Sequence, residues 1–289
     1  MQYDPPRILP AGDRNLLVEF GNEMNLELNF RAQGLAELIQ EHKTKGVIET
    51  APAFASLLVH YEPEEIGFRA LQAELQALAQ SLGSSEELVL HSRLFYLPTA
   101  YLDPWSNEAI DRYIRDIKPK TRDADLIVQE NGLADTDQLV RVHSGSEYWV
   151  AAIGWWPGVP FMMPLDPRCR LTVSRYDPPR VWTKKGTVGL GGSNVGIYPE
   201  DLPGGIQIFA RIPVPIWDPA QRFDVFRESI CLLRPGDRIK FVPVSVEEFN
   251  EAEAKVDEGS YVFNLVEYQR FSVPDYRAWL SRIDTTARF

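Results

Sequence analysis

The sequence predicts an α+β N-terminal subdomain followed by a β-rich domain of barrel or sandwich type. Three observations carry this expectation. The first ninety residues alternate strand-like runs with two amphipathic helical stretches. Ten of the chain's 19 glycines fall between Gly145 and Gly205, among short apolar runs broken by turns. With 289 residues, 44% of them hydrophobic and 25% charged, there is chain enough for one large or two modest cores.

Asn15 to Phe20 (NLLVEF) reads as a strand after the Gly12-Asp13 turn. Apolar residues at 28, 35, 38 and 39 predict a helix capped by Asn25 and ended by Gly46. Val47-Ile48 and Ser56 to Tyr61 read as strands, with Pro52 marking an edge or turn between them. Leu71, Leu75, Leu78 and Leu82 form one stripe of a second helix over 64–82, and Gly83-Ser84-Ser85 reads as a linker. This β-α-β-β-α order fits a ferredoxin-like split βαβ arrangement. Domain limits are expected at 1–88, 89–248 and 249–289. The second segment holds the β-rich domain, with helices opening at Ser106 and over 123–131. The third reads as a helix or charged linker, a strand-like run (261–271) and a short helix with Pro274 in its first turn.

The formal net charge of −11 argues against nucleic-acid or anionic-membrane partners. No apolar run reaches transmembrane length and the first residues hold no signal-like segment, so a cytoplasmic protein is expected. Cys169 and Cys231 stand alone, and His42, His60, His91 and His143 are scattered without ligand spacing. No metal site is expected, and core or surface histidine is the plainer assignment.

Two segments carry candidate chemistry. In GWWPGVPFMMPLDP (154–167), Trp155, Trp156 and Pro157 offer an apolar wall for a flat ligand, or simply cap a barrel. In KKGTVGLGGSNVGIYPEDLPGGIQIFAR (184–211), the glycines Gly191, Gly192, Gly204 and Gly205 let backbone approach a ligand, or merely make tight turns. Lys184, Asn194, Tyr198 and Arg211 are the candidate catalytic groups there. Ser193, Pro203 and Gln207 are candidate binding residues beside them. Between Arg168 and Lys185 six basic residues face a single acid, Asp177, a local excess suited to an anionic group.

The strings AGDRNLLVEFG (11–21), GVIETAPAFASLLVHYEP (46–63), GWWPGVPFMMPLDPR (154–168), GTVGLGGSNVGIYPEDLPGG (186–205) and LLRPGDRIKFVPVS (232–245) resemble the allophanate hydrolase subunit 1 family. That family includes the kinase inhibitor KipI and the 5-oxoprolinase subunit PxpB, and the same module is the first half of the urea carboxylase carboxyltransferase. The stretches EAIDRYIRDIKP, PLDPRCRLTVSRYDPPRVWTKKGTVGLGG and PIWD are more similar to the urea carboxylase version. The resemblance implies a cyclophilin-like β-barrel behind the N-terminal subdomain. It implies carboxyl transfer from carboxybiotin to a urea-like amide, with a second-half subunit (allophanate hydrolase subunit 2, KipA or PxpC-like) completing the site. Lacking a biotin-attachment motif and an ATP-binding glycine loop, this chain would rely on a biotin carboxylase and biotin carrier protein, with biotin held and ATP used on other polypeptides. The alternatives are a subunit of an ATP-dependent 5-oxoprolinase acting on a lactam, and a KipI-like regulatory kinase inhibitor.

Overall fold

A computed structural model describes residues 1–82, 87–266 and 270–289. The Gly83–Ser85 linker expectation lies outside these residues, as does part of the 261–271 run. The chain divides into two compact units, Met1–Ser92 with Tyr268–Ile283, and Arg93–Glu267 with Asp284–Phe289. The last forty residues are thus shared out between the two.

The first unit is built on an antiparallel sheet of β1 (Gln2–Pro10), β2 (Asn15–Gly21), β3 (Val47–Pro52) and β4 (Ser56–Tyr61), in the order β1-β2-β4-β3. Helix α1 (Leu26–His42) crosses from β2 to β3, and β4 pairs between those two strands. Helix α2 (Phe68–Ser81) follows, burying Leu71, Leu75 and Leu78 against Leu16, Val18, Leu57 and Val59 of the sheet. Asn25 caps α1 by accepting from the Glu27 amide at 2.8 Å. The helix ends at Lys43, in the left-handed region, three residues before the expected Gly46. Strand β1 was not expected, because Pro5, Pro6 and Pro10 argue against a strand. It lies at the sheet edge, where a missing N–H breaks no interior ladder. A short strand β5 (Val89–His91) pairs with Arg270–Ser272, and the C-terminal helix Val273–Leu280 follows that strand. Phe271 packs on Phe30 at 5.3 Å between ring centres.

In the second unit, β6 (Leu94–Tyr101) leads to α3 (Pro104–Asp116), α4 (Asp123–Asn131) and α5 (Thr136–Ser144). The cap of α3 is Asp103, not Ser106, whose backbone N–H donates to the Asp103 carboxylate. Then come β7 (Glu147–Ile153), β8 (Pro160–Pro164), β9 (Thr187–Gly191), β10 (Asn194–Ile197), β11 (Gln207–Arg211) and β12 (Arg238–Pro243). The strands pair in the order β11-β9-β10-β8-β7-β12-β6, and β11 pairs again with β6, so seven strands close a mixed barrel. This is the cyclophilin-like barrel, with β12 parallel to β6 and the other pairs antiparallel. Helix α6 (Val246–Asp257) carries a full capping box between Ser245 and Glu248. Strand β13 (Asn264–Val266) adds beside β6. Between β8 and β9 the segment 180–183 makes only an isolated bridge, Arg180 to Gly204.

The core of the second unit holds Tyr101, Tyr148, Phe209 and Phe241 around a fully buried His143. The Tyr101 hydroxyl lies 2.7 Å from His143 Nδ1, and burial pushes the imidazole down to about 3. His143 is a core histidine. Among the described residues no helix is long and apolar enough to cross a membrane, and no cluster of His, Cys, Asp or Glu could hold a metal ion.

Candidate functional site

Prolines and glycines in the barrel's connecting loops leave a cavity of about 550 Å³ at one end of β8 and β10. Its walls are the 155–161 loop, residues 175–179, Asn194 to Tyr198, and the 203–206 loop. The first loop turns sharply because Gly158 adopts φ +82° and Trp155 φ +65°. A Cβ at Gly158 would press on Trp217 and Ile216. Trp155 is left two-thirds exposed at the cavity mouth.

The glycines of β9 serve close packing rather than an open approach to a ligand. A Cβ at Gly191 would collide with Ile206, and one at Gly189 with Ile206 and the Gln207 carbonyl. Ile206 can therefore lie flat on the strand and form the cavity floor. Gly204 is required by Tyr198, whose hydroxyl occupies the place where a Cβ at 204 would stand. Gly192 turns the β9–β10 hairpin at φ +62° and meets nothing within 4 Å.

Most of the cavity wall is apolar, including Val159, Phe161, Pro179, Ile197 and Pro203. Its polar groups are few. Asn194 is 6% exposed, and its Oδ1 is buried without a hydrogen-bond partner. A buried carbonyl oxygen left so costs about 1–3 kcal/mol, which a donor on a ligand would recover. Arg175 is exposed at the cavity and has no carboxylate within 4 Å among the described residues. Tyr198 is 5% exposed, and Arg180 Nη2 donates to its hydroxyl at 3.3 Å. Burial pushes the Tyr198 phenol above its ordinary value, against the opposing effect of the Arg180 guanidinium.

The sequence-predicted residues thus separate. Trp155, Asn194, Tyr198, Pro203, Gly204 and Gly205 line the cavity, while Trp156 and Pro157 lie exposed in the same loop beyond its wall. Ser193 turns to Thr172, Oγ to Oγ1 at 3.1 Å. Gln207 is buried behind the wall, accepting from Lys120 Nζ at 2.7 Å and donating to the Ser174 carbonyl at 2.8 Å. Lys184 lies 3.7 Å from Asp201. Arg211 pairs with Glu253 at 2.8 Å and stacks over Trp105 and Phe249, beside a separate polar pocket of about 160 Å³.

The basic run over 168–185 is correspondingly not one patch. Arg168 is bound to Asp166 at 2.7 Å, and Arg180 is buried 3.9 Å from Asp123. Arg175 is the cation of that run left at the cavity. Nothing in spacing or motif singles out Arg175, Arg180 and Asp123. The only signal for the two arginines is the excess of arginine, which does not distinguish a buried paired guanidinium from a free one, and Asp123 stands out only as the start of a helix.

Comparison with known proteins places this geometry. Residues 6–226 match the family model "Carboxyltransferase domain, subdomain C and D". The chain is 33% identical over 277 residues to the urea amidolyase of Lachancea kluyveri, covering 94% of this chain and 15% of that protein. It is 26% identical over 254 residues to a 5-oxoprolinase subunit of Bacillus subtilis, covering 84% of this chain and 95% of that protein. The crystal structure of the K. lactis urea amidolyase superposes with a TM-score of 0.82 at 29% identity, over 96% of this chain and 17% of the other. The chain therefore spans about one sixth of the length of the urea amidolyases it matches.

Proposed function

This chain belongs to the carboxyltransferase-domain family, subdomains C and D, and from that premise we propose that its barrel cavity is half of a site that transfers a carboxyl group from carboxybiotin to a urea-like amide nitrogen. The observation that carries this reading is that the unpartnered Asn194 Oδ1 and the uncompensated Arg175 line one and the same cavity, whose wall is mostly apolar. A ureido or amide N–H satisfies the first, and a carboxylate the second. The biotin, held on another polypeptide, supplies an activated carboxyl group on a ureido nitrogen. Within this chain Asn194 orients the N–H partner, Arg175 holds the anion, Trp155 covers a flat ring, and Tyr198 presents a hydroxyl for proton transfer.

The chain acts as one subunit of a complex. Its partners are a second-half carboxyltransferase subunit, a biotin carboxylase that spends ATP, and a biotin carrier protein, all in the cytoplasm. The 5-oxoprolinase-like alternative is favoured by one observation, the alignment over nearly the whole of the Bacillus subtilis 5-oxoprolinase subunit. A lactam that bears a carboxylate would engage the same Asn194 and Arg175.

The test is assembly with the second-half subunit and the biotin carboxylase, followed by amide-dependent ATP turnover. Tyr198→Phe and Asn194→Ala should each lower kcat by roughly 100-fold while the melting temperature stays near wild type. Unchanged rates in both variants would remove the cavity from the chemistry. Turnover on a lactam but not on urea would decide for the alternative. A chain that stays alone and inhibits a kinase would decide for the regulatory role.

A further inference from the structure

Behind the cavity wall lies a buried polar cluster that the proposed chemistry has not yet used. Arg180 is 2% exposed and held on every side. Its Nη1 donates to the Ile206 carbonyl at 2.7 Å, its Nε and Nη2 to Thr183 Oγ1 at 3.2 Å, and the guanidinium lies 4.3 Å over the Tyr176 ring. Asp123, the first residue of α4, is fully buried behind it. Asp123 Oδ2 is 3.9 Å from Arg180 Nη1 and accepts from the Ile208 amide at 2.7 Å. Its Oδ1 accepts from Lys120 Nζ at 2.6 Å and from the Tyr176 hydroxyl. A buried cation is costly unless its geometry is fixed, and here the carboxylate, the two carbonyl and hydroxyl acceptors and the ring fix it. The remaining direction of its fork is the Tyr198 hydroxyl, at 3.3 Å.

We propose that Arg180, held by Asp123, is a positioning residue that aims the Tyr198 hydroxyl and eases the loss of its proton. The proposal rests on the carboxyl-transfer reading for its purpose, but not for its geometry. Transfer releases one proton at the acceptor nitrogen and requires one at the ureido nitrogen. A phenol that gives a proton to the ureido nitrogen and regains one from the acceptor balances that exchange with no further reactant. The carbon–nitrogen bond to the carboxyl group breaks on one side and forms on the other. Such a phenol works best when its anion is stabilised by a nearby fixed charge. The groups facing the hydroxyl are Arg180, the Thr183 side chain and the Ile206 backbone. Asp123, Tyr176 and Lys120 stand behind Arg180, and Arg175 shares the cavity. Gly204 leaves the space in which the hydroxyl sits.

The test uses the full chain labelled with fluorotyrosine, the Tyr198 fluorine signal being assigned by its loss in Tyr198→Phe. In Arg180→Gln the Tyr198 phenol should ionise about one pH unit higher than in wild type, and Arg180→Lys should recover part of that shift. In the assembled complex the alkaline limb of the kcat profile should move the same way with KM unchanged. Arg180→Lys should add nothing to the loss already caused by Tyr198→Phe. An unmoved ionisation in both Arg180 variants overturns the proposal. A moved ionisation in a complex that turns over no amide upholds the Arg180 assignment and overturns the carboxyl-transfer reading instead.

Discussion

Tyr198 lines two hollows of the barrel that both contain arginine and treat it differently. One is the large apolar cavity, where Asn194 Oδ1 has no partner and Arg175 has no counter-ion among the described residues. The other is the small polar pocket, where Arg211 meets Glu253 and Arg222 meets Asp218 at 3.3 Å. In the second, each of these charges is spent on the protein itself. In the first, polar capacity is left over. An arginine's presence at a hollow therefore says little about function in this barrel, and what matters is whether the folded chain has already satisfied it.

Three perturbations would break or sharpen this contrast. The largest effect is expected from Gly204→Ala. A Cβ there displaces the Tyr198 hydroxyl, so turnover of the assembled complex should fall by roughly 100-fold, since misplacement by about 1 Å has that cost. A full rate in this variant would show that Tyr198 is not needed where it stands. Next is Arg211→Met, on the spent side. It keeps the packing against Trp105 and Phe249 but strands Glu253, which is one-third exposed. Denaturant unfolding should report a loss of about 2–3 kcal/mol, and ligand affinity at the cavity should stay within about twofold. A large loss of affinity would erase the distinction between the two hollows.

The third perturbation is pH, which acts in the core of the second unit away from both. His143 is held neutral in the folded chain, its pKa pushed down to about 3 by burial, against an unfolded value near 6.5. The unfolded state binds the proton first, so this contribution is complete above about pH 6.5 and is lost as pH falls toward 3. Between pH 7 and 5 it should cost about 2 kcal/mol, a slope that His143→Gln should flatten. A wild-type slope retained in that variant would assign acid sensitivity to other groups.

Much of the fold was legible in the sequence because its signals are local. Leu71, Leu75 and Leu78 are spaced for one helical face, and they are buried on that face. The Asn25 cap and the short glycine-separated strands are equally local. Strand β1 was hidden because its prolines weigh against a strand in any short window, while tolerance of them depends on the edge position. Within the candidate site, Asn194, Tyr198 and Gly204 were legible as residue types in a glycine-rich loop. The separation of Arg211 and Lys184 from them was not, since their acidic partners lie 42 and 17 residues away in sequence. Arg180 and Asp123 were missed for the same reason, being 57 residues apart and joined only by folding.

The path of the chain has a consequence for synthesis. The first unit takes Arg270 to Leu280 as its last strand and helix, where Phe271 covers Phe30 and Arg277 reaches Glu27. The second unit then reclaims residues 284–289, where Phe289 lies over Arg168 at 4.5 Å. A ribosome that has made the first ninety residues has therefore not yet made everything the first unit needs. That unit waits, with Phe30 uncovered by Phe271, until nearly the whole barrel has emerged. Both units are completed only once residues 270–289 have been made, and no single cut in the chain yields both of them whole.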